Sequence, residues 1–327
     1  MSNIKNSIAE LVGHTPLLRL NGFETANGAK AEIIAKLEFF NPNQSIKDRT
    51  ALRILQDAEK DGRLHDGLII AEASSGNTGI GLAGLAAAKG YPFRAYIPGR
   101  VSKERFEVVS AFGAEIVKIE DVPAMVNALK DSNNDFFAGV TALKQSLRDD
   151  KELFFSDQAF NESNVKAHHD TTGPEIWEDT DGNVDIAVIS VGTGGTITGI
   201  GSFLKEQDPD IKIVAVEPII VNDKDGKPKE ITGVHRFSDV EERCKPGILN
   251  EGIIDEIIEV DPFVACKTAQ LAARTDGILV GESSGAAFYA AAQLAKRPEN
   301  EGKRIVAIAP DTGLRYLSTG LFEKEAE

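Results

Sequence analysis

The sequence predicts an α/β fold in which parallel-rich sheets are flanked by helices. Short apolar runs alternate with longer helical patterns along nearly the whole chain. Three glycine-rich loops also precede predicted helices. The length of 327 residues allows one large or two modest domains with real cores. Parallel sheets place ligand sites beyond the carboxyl ends of their strands, so chemistry is expected in the loops that lead into helices.

The individual elements follow from the same alternation. The predicted strands are Glu32–Leu37, Leu68–Glu72, Phe93–Ile97, Glu115–Ile119, Asp185–Val191, Ile211–Val216, Glu256–Val260 and Arg304–Ala309. The predicted helices include Asp48–Lys60, Gly79–Lys89, Ser102–Ala111, Gly199–Lys205, Pro262–Arg274 and Gly285–Leu294. Polar stretches at 131–135 and 222–230 are predicted to be surface loops, and no internal repeat stands out.

Composition and charge exclude several classes of function. The chain is 42% hydrophobic and 27% charged, and its formal net charge of −15 leaves no basic surface for nucleic acid. The N-terminus lacks a signal peptide's apolar stretch, and no apolar run approaches the ~18–20 residues that span a bilayer. The two cysteines, Cys244 and Cys266, indicate neither a disulfide framework nor a metal site. We therefore expect a soluble, cytoplasmic protein without a bound metal.

The three glycine-rich loops, at 72–79, 191–196 and 281–285, are candidates for anion binding. Glycines let the backbone approach an anion closely, and free N–H groups at a helix start point toward it. Each loop is expected to follow a strand and to open a helix. Small residues that only make a tight turn would leave the same pattern, so one loop alone does not decide between the two interpretations.

The second loop has a rival interpretation as part of a dinucleotide-binding unit, because a second strand ending at Glu217 follows its helix. The G-x-G-x-x-G fingerprint fails, however, at the third glycine, where Ile197 stands. No Lys follows the glycines, which excludes a Walker-type loop. A bare phosphate cradle therefore fits the segment better than a pyrophosphate site.

A lysine stands where the electrostatics of a helix disfavour it. Asn41-Pro42 opens a turn, Ser45 can cap the helix that follows, and Lys47 falls in its first turn. One interpretation is a solvated Lys47 compensated by Asp48. The other is an amine with a lowered pKa that forms an imine. Taken alone, the local sequence favours the first interpretation.

A set of motifs runs in one order along nearly the whole chain. They are Gly13-His14-Thr15-Pro16-Leu17, Lys36-Leu37-Glu38, Asn41-Pro42, Ser45-Ile46-Lys47-Asp48-Arg49, Ser75-Gly76-Asn77-Thr78-Gly79, Thr171-Thr172-Gly173-Pro174-Glu175-Ile176, Gly192-Thr193-Gly194-Gly195-Thr196, Ser283-Ser284-Gly285-Ala286-Ala287 and Arg315-Tyr316-Leu317-Ser318-Thr319. In this order they resemble the cysteine synthase (O-acetylserine sulfhydrylase) and cystathionine β-synthase family of pyridoxal-phosphate enzymes.

The resemblance implies a two-domain fold-type II (tryptophan synthase β-like) structure with the cofactor in the cleft. A small mobile N-terminal domain would span 40–156, and a larger cofactor-binding domain would combine 1–39 with 157–327. It also implies a homodimer, and serine acetyltransferase is a further candidate partner.

The resemblance assigns cofactor roles residue by residue. Lys47 matches the lysine that forms the internal aldimine with pyridoxal 5'-phosphate. Asn77 matches the side chain that bonds the ring hydroxyl oxygen, and Ser283 matches the serine that faces the pyridine nitrogen. The loop matched to the cofactor phosphate consists of Gly192, Thr193, Gly194, Gly195 and Thr196.

The substrate site is assigned in the same way. Gln158 matches a contact to the substrate α-carboxylate, and Gly233 lies in the loop that lines the mouth of the cleft in the family. The loop matched to the carboxylate itself consists of Ser74, Ser75, Gly76, Asn77 and Thr78.

The implied reaction is β-replacement, in which O-acetyl-L-serine and sulfide give cysteine through an aminoacrylate intermediate. Lys47 would remove the Cα proton while the pyridoxal ring acts as electron sink, and the neutral Ser283 favours chemistry at Cβ over transamination. A first alternative uses serine or cysteine, in β-replacement or in an elimination that releases hydrogen sulfide. A second alternative is a non-catalytic homologue that binds serine acetyltransferase. The presence of Lys47 and Asn77 weakens this alternative.

Three departures from the family pattern bear on substrate choice. Ser74 stands where the family usually has Thr, and Ala159-Phe160 follows Gln158 where a Phe is usual. The loop that begins at Gly233 differs most and rejoins the pattern at 245–249. Its His235 and Arg236 would either put bulk and charge beside an anionic second substrate or point to solvent.

The adjacent histidines His168 and His169 are predicted to diverge on a helix. We expect them to be surface or interdomain residues rather than metal ligands.

Overall fold

The chain forms twelve strands and eleven helices in the part that the structure describes. The computed structural model describes residues 4–74, 76–99, 103–132, 135–223, 226–241 and 245–322. The strands are β1 (Leu17–Arg19), β2 (Glu32–Leu37), β3 (Ile69–Glu72), β4 (Phe93–Ile97), β5 (Glu115–Lys118), β6 (Leu153–Phe155), β7 (Ile186–Ser190), β8 (Lys212–Pro218), β9 (Val221–Asn222), β10 (Pro228–Lys229), β11 (Glu256–Val260) and β12 (Arg304–Ala309). The helices are α1 (Asn21–Asn27), α2 (Lys47–Lys60), α3 (Asn77–Lys89), α4 (Lys103–Ala111), α5 (Pro123–Asp131), α6 (Phe136–Ser146), α7 (Glu162–Ala167), α8 (Gly173–Asp179), α9 (Gly195–Gln207), α10 (Pro262–Asp276) and α11 (Glu282–Ala295).

One compact unit, called unit 1, is built around a four-stranded parallel sheet with strand order β5-β4-β3-β6. It comprises Met1–Val12, Asn41–Ala167 and Asp239–Ile248. Its core joins the apolar faces of α2 and α3 to the sheet through fully buried residues such as Ile54, Ile70 and Leu82. β3 lies inside the sheet, so its carboxyl end at Glu72 is flanked by β4 on one side and β6 on the other.

The other compact unit, called unit 2, contains a six-stranded sheet with the order β1-β2-β12-β7-β8-β11. It comprises Gly13–Phe40, His168–Ser238 and Leu249–Glu327. All its strands are parallel except β1, which pairs antiparallel with β2. α11 packs its alanine-rich surface into the core of this unit. The two units are units of packing, and the predicted domain bounds stay a prediction.

The predicted α/β class is confirmed, and every predicted strand and helix has a counterpart. Ser102, the expected first residue of α4, lies outside the described residues, as do 133–134 in the predicted loop at 131–135. The predicted loop at 222–230 contains the short hairpin of β9 and β10. The pattern did not predict β1 or β6, because three residues are too few to show alternation.

One expectation about the glycine-rich loops is wrong. The loop at 281–285 follows α10 and a short connection, in which Val280 forms only an isolated bridge with Thr312, so no strand precedes it. Ser283 consequently lies in the first turn of α11 rather than in the loop before it.

The longest helix among the described residues, α10, has 15 residues. None of the helices in this part of the chain has the length and apolar character needed to cross a membrane.

Candidate active site

Lys47 is the first residue of α2, and its position is fixed by the polar turn before it. Its amide donates to the hydroxyl of Ser45 over 3.3 Å, but the N-cap residue of α2 is Ile46 rather than Ser45, the residue that was expected to cap the helix. The neighbouring Asp48 is fully buried and accepts a hydrogen bond from the amide of Asn43 over 2.6 Å. Lys47 itself is half-buried. The turn therefore presents an amine from a rigid position in unit 1.

Two glycines of α3 allow this helix to approach the Lys47 segment closely. A Cβ atom at Gly81 would lie 3.2 Å from the carbonyl oxygen of Lys47, and one at Gly84 would lie 2.9 Å from the side-chain amide of Asn43. These contacts leave little room for a side chain at either position. Neither glycine was among the predicted site residues, although their spacing of three residues within a helix was a usable signal.

The loop before α3 is arranged around Ser74. The Ser74 hydroxyl accepts hydrogen bonds from the amides of Gly76 and Gly79, each over 3.3 Å. A Cβ atom at Gly79 would lie 2.3 Å from the carbonyl oxygen of Ser74, so this glycine is required by close packing. Gly76 caps α3 without a side-chain hydrogen bond, and Asn77 is the first helical residue. The first amides of α3 are thus suited to an anion. Ser75 lies outside the described residues.

Two predicted substrate residues that are distant in sequence meet in unit 1. The Thr78 hydroxyl donates to the side-chain oxygen of Gln158 over 2.5 Å. The carbonyl oxygen of Gln158 also accepts from the side-chain amide of Asn164 over 2.8 Å. The structure therefore brings together Thr78 and Gln158, and their role in binding substrate stays a prediction.

Directly after Gln158 the family usually has a Phe, whereas this chain has Ala159 followed by Phe160. Ala159 is buried and Phe160 is half-buried. A Cβ atom at Gly247 would lie only 2.6 Å from the ring of Phe160. Phe160 therefore packs against the segment at 245–249, where the family pattern resumes.

The loop predicted to hold a phosphate connects β7 to α9 in unit 2. Gly194 is the N-cap residue of α9 with φ +85°, and a glycine has no side chain with which to cap the helix. A Cβ atom at Gly194 would lie 2.7 Å from the Cβ of Leu249, and one at Gly192 would lie 2.5 Å from the carbonyl oxygen of Gly233. Ile197, which breaks the dinucleotide fingerprint, is fully buried. The loop is a glycine cradle at the start of a 13-residue helix.

The expectation for His168 is wrong. This side chain is fully buried, and its ring nitrogens lie 3.3 Å from the Thr196 hydroxyl and 3.0 Å from the Thr172 hydroxyl. The residues His168–Thr172 form a π-helical turn that packs against α9, which a regular helix pattern does not predict. The ring therefore supports the last residue of the phosphate loop.

His169 diverges from His168 as predicted and lies near the surface. Its hydrogen bond to Asp170, with a further contribution from Glu206, raises the pKa of its imidazole.

Ser283 lies in the first turn of α11 and is 8% exposed. Its carbonyl oxygen accepts a hydrogen bond from the hydroxyl of Ser190, the last residue of β7, over 2.8 Å. A Cβ atom at Gly281 would lie 2.2 Å from a carboxylate oxygen of Asp311, so the helix start is tightly enclosed. The serine is thereby fixed at the carboxyl end of the sheet.

A buried carboxylate links α11 to the divergent loop. Glu282 accepts hydrogen bonds from both the amide (2.9 Å) and the hydroxyl (2.8 Å) of Thr232. The next residue, Gly233, has φ +76° and turns its carbonyl oxygen toward Gly192. Glu282 was not among the predicted site residues, although a charge among small residues was a usable signal.

The divergent loop uses its arginine within unit 2. The Arg236 guanidinium pairs closely with Glu259 and lies 3.5 Å from the fully buried Glu217, and the side chain is 21% exposed. Glu217 also accepts from the amides of Phe237 and Ser238. The sequence left two alternatives for Arg236, a charge beside an anionic second substrate or a side chain that points to solvent. Neither describes this arrangement, because the side chain is not free in solvent and carboxylates already balance its charge. Cys244 lies outside the described residues.

The residues present fit pyridoxal phosphate. Unit 2 offers the glycine cradle at the start of α9, which suits a dianionic phosphate, and the enclosed serine of α11. Unit 1 offers the half-buried amine of Lys47 and the start of α3, where the Ser74 hydroxyl accepts from the amide of Gly79. The described residues contain no group of three or more His, Cys, Asp or Glu side chains that could hold a metal ion.

Comparison with known proteins gives concordant results. The family model described as "Pyridoxal-phosphate dependent enzyme" matches residues 8–311. A probable cysteine synthase of Bacillus subtilis (strain 168) is 40% identical over 328 residues, which cover 98% of this chain and 99% of that protein. The crystal structure of cysteine synthase (OASS) from Entamoeba histolytica is similar with a TM-score of 0.86 at 40% identity, over 100% of this chain and 93% of that one. A hydrogen sulfide-producing enzyme from Fusobacterium nucleatum is similar with a TM-score of 0.83 at 33% identity, over 96% and 100%.

Proposed function

The chain belongs to the family of pyridoxal-phosphate dependent enzymes, and from this premise we propose that it makes cysteine from O-acetyl-L-serine and sulfide by β-replacement. Relatives named cysteine synthase match nearly its full length. The observation that carries the proposal is that the sequence keeps the amine of Lys47, the glycine loop at 192–196 and a carboxylate-type loop at 74–78 in which Ser74 replaces the usual Thr. A protein that had lost catalysis would have no need for Lys47 at the start of α2.

In the proposed mechanism, unit 2 supplies most of the cofactor contacts. The amides and hydroxyls of 192–196 would hold the phosphate, with Thr196 oriented by the buried His168. The Ser283 side chain would face the pyridine nitrogen without supplying a charge. When bound, pyridoxal phosphate supplies the electron sink for charge that develops at the substrate Cα.

Residues of unit 1 would act on the substrate. Lys47 would hold the cofactor covalently through Nζ and, once displaced by the substrate amine, accept the Cα proton at the same atom. Asn77 would bond the ring hydroxyl oxygen. The amides at the start of α3, with Ser74, Ser75, Gly76, Thr78 and Gln158, would bind the α-carboxylate, while Gly233 in unit 2 would border the path of the nucleophile.

A product assay and a spectral titration test this proposal. Purified protein loaded with pyridoxal phosphate should form cysteine from O-acetyl-L-serine and sulfide, and O-acetyl-L-serine alone should shift the cofactor's visible absorbance band. Lys47→Ala should abolish turnover, and Lys60→Ala, at the other end of α2, serves as the matched control. Cysteine formation that is absent, or unaffected by Lys47→Ala, contradicts the proposal.

A second candidate is the release of hydrogen sulfide from cysteine, or β-replacement with serine or cysteine. The similarity to the Fusobacterium nucleatum enzyme motivates it, together with the divergent loop that begins at Gly233. Incubation with cysteine alone, and with serine or cysteine plus homocysteine, separates these reactions from cysteine synthesis. Sulfide release from cysteine that is faster than cysteine synthesis would favour the second candidate.

We further propose that the protein is a cytoplasmic homodimer in which residues 40–156 form a small domain that closes on substrate and 1–39 with 157–327 form the larger one. Light scattering tests the dimer, and small-angle scattering with and without substrate tests the closure. Serine acetyltransferase is the proposed partner, and co-purification of the two proteins tests it. A colourless protein that binds the acetyltransferase but not pyridoxal phosphate would instead support a non-catalytic role.

A further inference from the structure

Glu72 is a buried carboxylate at the carboxyl end of β3, directly before the loop that starts at Ala73. It is 1% exposed. One carboxylate oxygen accepts from the amide of Ala73 over 2.8 Å, and the other accepts from the Ser156 hydroxyl over 2.7 Å and the Gln158 amide over 3.1 Å. All three donors belong to unit 1. The carboxylate thus joins two segments that are 84 to 86 residues apart in sequence.

The segment that reaches Glu72 from β6 is itself tightly held. The amide of Ser156 donates to the carbonyl oxygen of Ala71 over 2.9 Å and continues the pairing of β6 with β3. Asp157 has φ +55°, an unfavourable conformation for a residue other than glycine, and Lys144 pairs closely with its carboxylate. Together these contacts determine the direction in which Gln158 leaves the strand.

The loop that starts at Ala73 is joined to Gln158 both at Glu72 and at Thr78. At the base, its carboxylate binds the amides of Ala73 and Gln158. At the far end, the Thr78 hydroxyl donates to the Gln158 side chain over 2.5 Å. The loop from Ala73 to Thr78 and the residue Gln158 are therefore fixed to each other at two points.

Retaining a carboxylate here is costly, which argues that it does more than fill space. Burial raises the pKa of Glu72 to about 7, although the hydrogen bonds from Ser156 and from the amides of Gln158 and Ala73 oppose the shift. An apolar residue would avoid the cost but would leave the amides of Ala73 and Gln158 without this acceptor.

We propose that Glu72 is a positioning residue that sets the spacing between the carboxylate-binding loop and Gln158, and so determines affinity for the substrate α-carboxylate. This inference rests on the proposed function for the identity of the two binding elements. Glu72 acts through Ala73 and Gln158 rather than by touching substrate.

The test compares Glu72→Gln with the unmodified holoenzyme. Gln keeps the shape of the side chain but turns an N–H₂ group toward one of the donors. At pH 8, above the pKa of about 7 that Glu72 has in the folded chain, loss of a charge-assisted hydrogen bond costs about 1.5–3 kcal/mol, so the KM for O-acetyl-L-serine should rise roughly 10- to 100-fold. The kcat and the affinity for pyridoxal phosphate should change by less than about threefold. Glu72→Asp keeps the charge and shortens the reach, so it should recover part of the affinity if charge, rather than reach, is limiting.

Two further readouts separate positioning from general damage. The methyl ester of O-acetyl-L-serine lacks the carboxylate, so the variant and the unmodified enzyme should bind it equally. In the cofactor-free chain, hydrogen exchange should accelerate in the amides from Ala73 to Gly79 but not in α9. Ser156→Ala removes one donor only, should raise the KM by a smaller factor, and replaces Glu72→Gln if that variant does not fold.

An unchanged KM, an equal loss of affinity for the ester, or a matching loss of pyridoxal phosphate affinity would each overturn the inference. If the unmodified enzyme forms no cysteine, the proposed function fails separately. The affinity comparison is then made with whichever amino acid shifts the cofactor band.

Discussion

Replacing Glu72 by Gln should change how the stability of the protein depends on pH. In the unfolded chain this carboxyl group loses its proton near its ordinary pKa of 4.5, whereas in the folded chain it holds the proton until about pH 7. Between these values the folded state binds more protons, so its stability falls as pH rises. At ~1.36 kcal/mol for each pH unit, the interval from 4.5 to about 7 corresponds to about 3 kcal/mol. Glu72→Gln lacks this penalty.

The measurement is urea unfolding of the full chain followed by far-ultraviolet circular dichroism, at pH 4.5 and at pH 8. Every other titrating group is shared, so the free energy of unfolding of Glu72→Gln minus that of the unmodified protein should rise by about 3 kcal/mol between the two pH values. Glu152→Gln, which removes an exposed carboxyl group from the same unit, is the matched control. A difference that stays constant, or that falls with pH, would show that the three hydrogen-bond donors outweigh burial and would refute the reasoning.

Three further predictions concern unit 2. Gly194→Ala places a Cβ atom 2.7 Å from Leu249 at a φ of +85°, so affinity for pyridoxal phosphate, measured by absorbance titration, should fall about tenfold or more; unchanged affinity would refute the cradle. Thr232→Val removes a hydroxyl that donates to buried Glu282 and should lower the free energy of unfolding by ~1–2 kcal/mol. Urea denaturation measures this, and an unchanged free energy of unfolding would contradict the prediction. Arg236→Ala should lower the free energy of unfolding by ~1–3 kcal/mol but leave all kinetic constants unchanged within about twofold; a higher KM for anionic substrates alone would instead favour a role in substrate choice.

Much of the fold was predictable because its signals are local. Apart from Arg94 and Arg304, the strands Phe93–Ile97 and Arg304–Ala309 consist of apolar residues and are bounded by turn residues, and the structure has the same bounds. The glycines at 192 and 194 were likewise visible, because a close backbone approach to an anion needs them at the start of a helix. Short elements such as β1 depend on pairing with β2, which the sequence does not display.

The parts of the site that escaped prediction depend on tertiary contacts. Glu72 and Glu282 look like ordinary surface carboxylates in sequence, and only the folded chain shows that each is buried against donors from a distant segment. His168 was misjudged because a π-helical turn rotates it into unit 2, and periodicity assumes a regular helix. The order of the motifs along the chain was enough to recognise the family resemblance. The burial and the hydrogen-bond partners of individual side chains could be learned only from the structure.

The divergent loop has a property that matters for how such enzymes change over evolution and in the laboratory. Carboxylates hold it at both ends, Glu282 at Thr232 and Glu217 at the amides of Phe237 and Ser238. Between these two points the segment is also held by the amide of His235, which donates to the carbonyl oxygen of Val191 over 2.8 Å, and by the ion pairs of Arg236. Replacing 233–236 by the corresponding segment of a relative, with Thr232, Phe237 and Ser238 kept, would therefore change the loop while both carboxylate contacts stay in place.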